Sequence, residues 1–321
     1  MDKQYVIGVD MGGTNSAFGI VDARGNILYN GNIVTNMYAT ADDYVNALCA
    51  GINHLIAESG LEGRIKGIGM GVPNGNMYAG TIEYAANIPW ANKAIVPLTK
   101  MVTGLTGLPC CLTNDANAAA IGEMTYGAAR GMKDFIVITL GTGVGSGIVT
   151  NGNLVCGHDG FAGELGHVIV RRHNGRPCGC GRCGCLETYT SATGVARTAR
   201  EFLEIKQEDS LLREINDRPI VSKDVFEAAE KGDKIAIEIF EYTGRLLGEA
   251  FADFVAFSSP EAIILFGGLT KSGDYLIKPI EKSMNDNVLS SYKGKIKLKL
   301  SELKDADAAI LGASALAWEN N

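Results

Sequence analysis

The sequence predicts an α/β protein built on a duplicated module, and three observations support this fold class. Short apolar runs that fit buried strands alternate with longer stretches of helical periodicity. Two of these runs, residues 5–10 and Phe135–Leu140, are each followed by a glycine-rich loop and then by similar residues. The length of 321 residues suits two domains around a cleft, because domains commonly contain about 100–200 residues.

The similarity continues beyond the two strands. Residues 19–21 and 25–28 resemble residues 147–149 and 152–155 in pattern and spacing. Two strand–loop–strand–turn–strand units about 130 residues apart indicate a duplication. The alternative is chance similarity between two β-meanders.

Helical periodicity is clear in three stretches. In Ala41–Ser59 apolar residues recur at steps of three and four. Residues 234–257 form a longer amphipathic pattern that ends at Ser258-Ser259-Pro260 and leads into a buried strand, Ala262–Phe266. The last predicted helix, residues 305–318, opens with the capping candidate Asp305. Its small residues permit close packing against a neighbouring element.

Composition narrows the class of protein. The formal net charge is −7 and there is no basic tract, so binding to a polyanion such as DNA is electrostatically unfavourable. The first residues lack the apolar segment of a secretion signal, and no run of about 18 apolar residues predicts a membrane span. We therefore expect a cytoplasmic protein that contacts neither nucleic acid nor membrane.

Three glycine-rich segments at predicted strand ends are candidates for nucleotide binding. They are Asp10 to Thr14 with Gly12 and Gly13, residues 141–147 with Thr142 and Gly143, and the pair Gly267 and Gly268. Glycines let backbone N–H groups approach phosphate oxygens, and Asp10 is placed to hold magnesium directly or through water. Each loop alone also fits a plain hairpin, and none has the GxxxxGK[ST] pattern of a Walker loop. Their joint presence favours a nucleotide site.

Asn114 and Asp115 stand between a strand-like run, residues 110–112, and an alanine-rich helical stretch. Phosphoryl transfer needs a positioned hydroxyl and a group that accepts its proton. A carboxylate held on rigid elements meets the second requirement, so Asp115 is the predicted base and Asn114 can hold a neighbouring hydroxyl. The alternative is that Asp115 only caps the helix.

A cysteine cluster predicts a metal site. Cys178, Cys180, Cys183 and Cys185 fall within eight residues, which is too crowded for an ordinary disulfide framework. One imidazole, from His167, and three thiolates suit tetrahedral zinc in a closed structural site. Zinc would order a loop that has little apolar content of its own. The alternative is a set of unligated cysteines.

The same loop would bring Glu164, His167 and Glu187 into one neighbourhood. Carboxylates and imidazole meet hydroxyl groups in fixed directions, which suits recognition of a polyol. If zinc takes one nitrogen of His167, the other is left in a fixed tautomer as a donor to a sugar.

These motifs resemble the ROK family of bacterial sugar kinases and repressors, within the duplicated actin-like ATPase (ribonuclease H-like) fold. The resemblance covers nearly the whole chain. It rests on Asp10-x-Gly-Gly-Thr14, Asn114-Asp115, Gly163-Glu-x-Gly-His167 and Cys-x-Cys-Gly-x-x-Gly-Cys-x-Glu over residues 178–187. Two segments depart from the usual family pattern. Residues 71–76 lack the usual Pro-Gly pair, and residues 87–90 lack the glycine that often precedes the tryptophan, here Trp90.

The resemblance implies a role for each matching residue. Asp115 would be the catalytic base, and the sugar would be held by Asn114, Asp115, Glu164, His167 and Glu187. Zinc would be bound by His167, Cys178, Cys180 and Cys185, with Cys183 as a spare thiol. ATP would be bound by Asp10, Gly12, Gly13, Thr14, Thr142, Gly143, Gly267 and Gly268, with magnesium at Asp10. The small domain would comprise residues 1–116 and 305–321, and the large domain residues 117–304 with the zinc loop 167–187.

The implied reaction is ATP-dependent phosphorylation of a hexose at its 6-hydroxyl, with glucose the leading acceptor, by a homodimer or homotetramer. Family kinases for N-acetylhexosamine, mannose and fructose share the same residues, so the hexose stays open. A sugar-responsive repressor is the alternative from another class, but family repressors carry a helix-turn-helix before the first phosphate loop. A sugar-binding module without catalysis is disfavoured because the base and the phosphate loops are present.

Overall fold

The computed structural model describes residues 3–303 and 307–319. The backbone packs into two compact units. Met1–Met132, Gly147–Gly163 and Ser301–Asn321 form the first unit, and Lys133–Ser146 and Glu164–Leu300 form the second. Asp305, the predicted helix cap, and the predicted domain boundary beside it lie outside the described residues. The division into domains 1–116 with 305–321 and 117–304 stays a prediction.

The first unit is built on a five-stranded sheet with the strand order β3-β2-β1-β4-β8. Its strands are β1 (Tyr5–Met11), β2 (Asn15–Asp22), β3 (Ile27–Val34), β4 (Ile65–Val72) and β8 (Cys110–Asn114). The first three form an antiparallel meander, whereas β4 and β8 run parallel to β1. A smaller antiparallel sheet comprises β5 (Gly75–Asn76), β6 (Thr81–Glu83) and β7 (Ile95–Val96).

Among its described residues, the first unit contains the helices α1 (Ala41–Ser59), α2 (Leu98–Thr106), α3 (Asp115–Thr125) and α9 (Ala308–Glu319). Helix α1 has the bounds predicted from its periodicity. Its N-terminus is capped by the Thr40 side chain, which accepts from the Asp43 N–H, and its C-terminus by Gly60 in the left-handed conformation.

Small residues let α9 lie directly on the sheet and on α3. A Cβ at Gly8 of β1 or at Gly69 of β4 would overlap the carbonyl oxygens of Ile310 or Ala313 in α9. A Cβ at Gly312 would lie 2.5 Å from the carbonyl oxygen of Ala118 in α3. The prediction that the small residues of this helix serve close packing is confirmed.

The second unit contains most of a second five-stranded sheet, with the order β11-β10-β9-β12-β13. Its strands are β9 (Phe135–Leu140), β10 (Val144–Thr150), β11 (Asn153–Leu154), β12 (Ala262–Phe266) and β13 (Lys297–Leu300). Strands β12 and β13 run parallel to one another, and β12 runs parallel to β9. The last residues of β10 and all of β11 belong to the first unit.

The second predicted glycine loop is shorter than expected. Strand β10 begins at Val144, so residues 144–147 are strand and the loop ends at Gly143. Apolar Val144 and Ile148 favour the strand because both are buried. Gly147 has a packing reason to lie in a strand, since a Cβ there would come within 2.8 Å of the Ala116 carbonyl oxygen.

The helices of the second unit pack against one another. They are α4 (Glu187–Thr190), α5 (Ala192–Ile205), α6 (Ser222–Glu230), α7 (Lys234–Ser258) and α8 (Asp274–Asn287). The predicted stop of the long helix is confirmed to within one residue: α7 ends at Ser258, and Ser259 adopts the left-handed conformation with φ 49°. In the described part of the chain no helix is both long and apolar enough to span a bilayer.

The predicted duplication is visible in the two sheets. In each sheet the first strand of the module, β1 or β9, lies between the next strand along the chain and a parallel strand from later in the chain. An α/β architecture with this repeated arrangement is therefore confirmed.

Candidate active site

The predicted acidic residues of the first unit lie at one edge of its sheet. Asp10 pairs with Gly71 near the end of β1, and Asn114 pairs with Val72 at the end of β8. Because these strands run parallel, their carboxyl ends meet at the same edge, with β4 between Asp10 and Asn114. Asp115 follows at once as the first residue of α3.

Asn114, not Asp115, caps helix α3. The Asn114 Oδ1 accepts a hydrogen bond of 2.7 Å from the Asn117 N–H. The Asp115 carboxylate instead accepts from the neighbouring Ala116 N–H at 2.8 Å. The alternative that Asp115 is only the helix cap is therefore wrong. Because the cap uses the Asn114 Oδ1, the NH₂ group of the same amide is not part of the cap.

Burial and mutual repulsion shape the acidity of the two carboxylates. Burial raises the pKa of Asp10 to about 6, and the nearby negative charge of Asp115 adds to the effect. The pKa of Asp115 is also raised by removal from water, although the N–H of Ala116 opposes that rise. Because each negative charge disfavours the other, binding of a proton or a cation would relieve the repulsion.

The first glycine loop is held by backbone hydrogen bonds and by a loop that the sequence did not single out as a site. The Gly12 N–H donates to the Asn15 carbonyl at 2.9 Å, and the Thr14 carbonyl accepts from Thr35 at 2.7 Å. A Cβ at Gly13 would lie 3.0 Å from the Asn87 carbonyl oxygen and 3.2 Å from the Asn87 Cβ. A larger residue at position 13 would therefore push Asn87 away by a few tenths of an ångström.

The second loop, residues 141–143, is fixed at both ends within the second unit. The Gly141 carbonyl accepts from the Ala192 N–H at 2.8 Å, and the Thr142 carbonyl accepts from the Thr193 hydroxyl at 2.8 Å. The Glu187 carboxylate also reaches this loop, with its Oε2 3.5 Å from the Val144 nitrogen.

A cavity of about 460 Å³ opens between the second and third glycine segments. Gly267 adopts φ 108°, and a Cβ there would lie 2.6 Å from the Leu140 carbonyl oxygen, so the two backbones touch. The cavity is lined by Leu140, Gly141, Thr142, Ala192, Ser222, Lys223, Phe226, Gly268, Leu269, Lys271 and Ser272. Its size and largely apolar wall suit a flat heterocycle such as a nucleotide base.

Four of the predicted metal ligands converge in the second unit. The ligand atoms of His167, Cys178, Cys180 and Cys185 all lie within 4.8 Å of one another. The Cys180 and Cys185 sulfurs are 3.6 Å apart, and the Cys178 sulfur is 3.7 Å from the His167 Nδ1. Zinc–sulfur bonds of about 2.3 Å at tetrahedral angles put two sulfurs about 3.8 Å apart, so the set fits zinc.

The remaining cysteine of the motif stands outside this set. Cys183 is exposed and pairs through its backbone with Pro177 in an isolated bridge. The turn is tightened by Gly184, whose N–H donates to the Arg176 carbonyl at 2.8 Å.

The two glutamates lie on opposite nitrogens of His167. The Nδ1 atom, which faces Cys178, is also 3.5 Å from the Glu187 Oε1. The Nε2 atom is 3.9 Å from the Glu164 Oε2. If the metal takes Nδ1, then Nε2 remains beside Glu164 as a hydrogen-bonding group, as the sequence predicted.

A model of the family described as "ROK family" matches residues 6–320. The chain belongs to the ROK family.

Relatives of this ROK protein include kinases and repressors. It is 37% identical over 319 residues to a glucokinase from Halalkalibacterium halodurans, covering 98% of this chain and 96% of the relative. A solved structure of a ROK family glucokinase from Streptomyces griseus in complex with glucose and AMPPNP has a TM-score of 0.80 and 34% identity. The match covers 98% of this chain and 100% of that one. A xylose repressor from Caldicellulosiruptor bescii is 30% identical over 253 residues, which is 78% of this chain and 62% of the repressor.

The predicted site residues of the ROK chain thus form two groups. The first unit brings together Asp10, Gly12, Gly13, Thr14, Asn114 and Asp115. The second brings together Glu164, His167, Glu187, the cysteine cluster and the loops with Thr142, Gly143, Gly267 and Gly268. Sequence reasoning missed Phe226 and Lys223 of the cavity, because α6 carries no motif and only the tertiary fold brings it to the glycine segments. Lys271 had a signal, since it follows Gly267 and Gly268 closely in the chain.

Proposed function

We propose that this protein is an ATP-dependent hexose kinase that transfers the γ-phosphoryl group to the 6-hydroxyl of glucose. One observation carries the proposal: Asp115 stands at the first helical position, beside a capping asparagine and on the sheet edge that carries Asp10. Full-length similarity to glucokinases supports glucose as the acceptor.

Asp115 would act as the general base. Its carboxylate would accept the proton of the 6-hydroxyl as the oxygen attacks the γ-phosphorus, and the leaving group is ADP. Asn114, whose amide orientation is fixed by the cap, would donate to a neighbouring hydroxyl. Glu164, His167 and Glu187 would hold the remaining hydroxyl groups; each of the two glutamates has a carboxylate oxygen within 4 Å of one ring nitrogen of His167.

The nucleotide would be bound by the three glycine segments. The base would lie in the cavity lined by Thr142, Phe226 and Gly268, with the phosphates toward Gly143. The loop with Gly12, Gly13 and Thr14 would supply further N–H and hydroxyl donors to the phosphates. Gly267 would keep the third segment close to β9. Asp10 would hold magnesium, which when bound supplies positive charge to the phosphoryl oxygens.

Zinc would be a structural ion held by His167, Cys178, Cys180 and Cys185. When bound it supplies the free energy that orders this glycine-rich loop. The chain's own part is to carry Glu187 two residues after Cys185 and to present the free nitrogen of His167 in one tautomer.

Replacement of the base tests the proposal. Asp115→Asn is expected to lower kcat by about 100-fold or more, the usual contribution of a positioned general base, while glucose still binds. The measurements are coupled ADP release and calorimetric glucose binding. Asp274→Asn is the matched control, because Asp274 is an exposed carboxylate on α8. Near-normal turnover of Asp115→Asn would remove it as the base.

The choice of hexose needs its own assay. Coupled ADP release with glucose, mannose, fructose and N-acetylhexosamines would rank the acceptors by kcat/KM. Glucose should rank first; a higher value for an N-acetylhexosamine would reassign the substrate within the same reaction.

A sugar-responsive repressor is the second candidate, because repressors are among the relatives. The net charge of −7 argues against a DNA surface, and we propose that the protein does not bind nucleic acid. A specific gel shift with operator DNA, together with no ADP release, would favour the repressor. We further propose a cytoplasmic homodimer or homotetramer, which light scattering of the purified protein would test.

A further inference from the structure

A second concave site lies in the second unit, next to the metal-binding loop. It is a cavity of about 360 Å³ lined by Arg171, Asn174, Gly175, Arg176, Pro177, Tyr189, Arg197, Glu201 and Tyr242. Three of these side chains are guanidinium groups and one is a carboxylate. The excess of positive charge stands out in a chain whose formal net charge is −7.

Arg176 forms the fixed wall of this arginine pocket. Its side chain is only 6% exposed, and its guanidinium lies 4.5 Å from the centre of the Tyr189 ring. Nη1 donates to the Thr188 carbonyl at 2.8 Å, Nη2 donates to the Thr198 hydroxyl at 2.9 Å, and Nε donates to Glu201 at 3.1 Å. These acceptors hold the Arg176 guanidinium in one position, so its positive charge is a fixed part of the pocket wall.

The other two arginines keep donors for a ligand. Arg197 uses its Nε to donate to Glu201 at 2.9 Å, and Arg171 uses Nη1 to donate to the Val170 carbonyl at 2.9 Å. The Arg171 Nη1 also lies 3.8 Å from the Glu249 Oε2, so this carboxylate offsets part of its charge. Among the described residues, the two Nη groups of Arg197 and the Nη2 of Arg171 have no hydrogen-bond acceptor in the structure. Both side chains are about one-third exposed, so a ligand from solvent can reach them.

We propose that this pocket binds a small molecule that carries a phosphate group. Planar guanidinium forks match the geometry of phosphate oxygens and form charge-assisted hydrogen bonds with them. The rings of Tyr189 and Tyr242 and the Pro177 ring offer apolar surface for the body of the ligand. The volume admits inorganic phosphate or a phosphorylated monosaccharide.

The pocket shares its wall with the loop that holds the metal ligands. Arg176 is two residues before Cys178, and its N–H donates to the Tyr189 hydroxyl at 2.9 Å. Tyr189 is in turn two residues after Glu187, on the four-residue helix α4. The assignment of the pocket rests on these contacts and is independent of the proposed kinase activity.

Calorimetry on the full-length protein tests the pocket directly. Glucose and a non-hydrolysable ATP analogue are kept saturating to fill the proposed active site, and inorganic phosphate or glucose 6-phosphate is then titrated at constant ionic strength. The two arms separate a free anion from a sugar phosphate, and a saturable heat in either one supports the pocket. The absence of saturable binding in both arms would overturn it.

Two double variants make the test specific. Arg171→Gln with Arg197→Gln should weaken binding by about tenfold or more, as expected when charge-assisted hydrogen bonds are lost. Arg172→Gln with Arg200→Gln removes the same charge from exposed neighbours that do not line the pocket, and it should retain the affinity. Equal losses in both double variants, or no loss in the first, would refute the proposal. Circular dichroism verifies that each variant is folded.

Discussion

Gly312→Ala tests whether the contact between α9 and α3 positions the proposed base. Gly312 faces the backbone of α3 so closely that a Cβ would lie 2.5 Å from the Ala118 carbonyl oxygen and 2.8 Å from its carbonyl carbon. The obstructing atoms are backbone, so no side-chain rotation can relieve the overlap. The helices must separate or slide.

The size of the effect follows from these distances. Restoring an ordinary contact of about 3.5 Å requires a shift of about 1 Å in α3 or α9. Overpacking of this kind costs about 1–3 kcal/mol of stability, against which alanine returns up to about 1 kcal/mol of helix propensity. Because α3 begins with Asp115, a displacement of about 1 Å at the reacting groups is expected to lower kcat by on the order of 100-fold.

The assay pairs urea unfolding with steady-state ADP release. Gly104→Ala is the matched control, because Gly104 lies within α2 and a Cβ there meets nothing within 4 Å. It should stabilise the protein by up to about 1 kcal/mol and leave kcat unchanged. If Gly312→Ala matched the wild type in both stability and kcat, the tight α3–α9 contact would not be what places Asp115.

Two further predictions concern the metal loop and the nucleotide cavity. Elemental analysis should find about one zinc per chain in the wild type and in Cys183→Ser, and much less in Cys185→Ser; equal zinc in both variants would contradict the ligand set. Hydrogen bonds from Arg218 hold the pKa of Asp224 below its usual range, and Asp224 also accepts from the Val221 N–H at the start of α6. This stabilisation is present at neutral pH and is lost as the pH falls below about 4, through the folded-state pKa, when the carboxylate becomes protonated. Asp224→Asn should therefore cost about 1 kcal/mol at pH 7 and lose less stability than the wild type between pH 7 and pH 3 in urea unfolding; parallel losses would refute this.

The regular elements were predictable where one physical signal dominated. Helix α1 and strands β9 and β12 have the predicted bounds, because apolar periodicity and burial agree along their whole length. Strand β8 runs two residues beyond the predicted 110–112 because Thr113 is polar yet buried. That extension matters, since it puts Asn114 at the end of the strand and makes it the cap of α3.

The sequence did not predict contacts between residues that are far apart in the chain and that only the fold brings together. The convergence of His167, Cys178, Cys180 and Cys185 was predictable because the spacing of the cysteines is local and specific. Phe226, in the cavity beside the glycine segments, and Arg197, in the arginine pocket, lie far along the chain from the segments they face. Their helices have ordinary amphipathic patterns. Glycine content also misled, since Gly145 and Gly147 resemble loop residues but lie in strand β10.

Asn114 caps α3 with its side-chain oxygen, and its amide nitrogen is the proposed donor to a sugar hydroxyl, so few residues can replace it. Aspartate, serine and threonine would all keep an oxygen that can cap α3, but none of them has an amide NH₂ group. Glutamine has the amide NH₂ group, but its side chain is one methylene longer and does not suit the capping hydrogen bond from the Asn117 N–H. Asparagine is thus the side chain that caps the helix with its oxygen and still carries two N–H donors on its amide nitrogen.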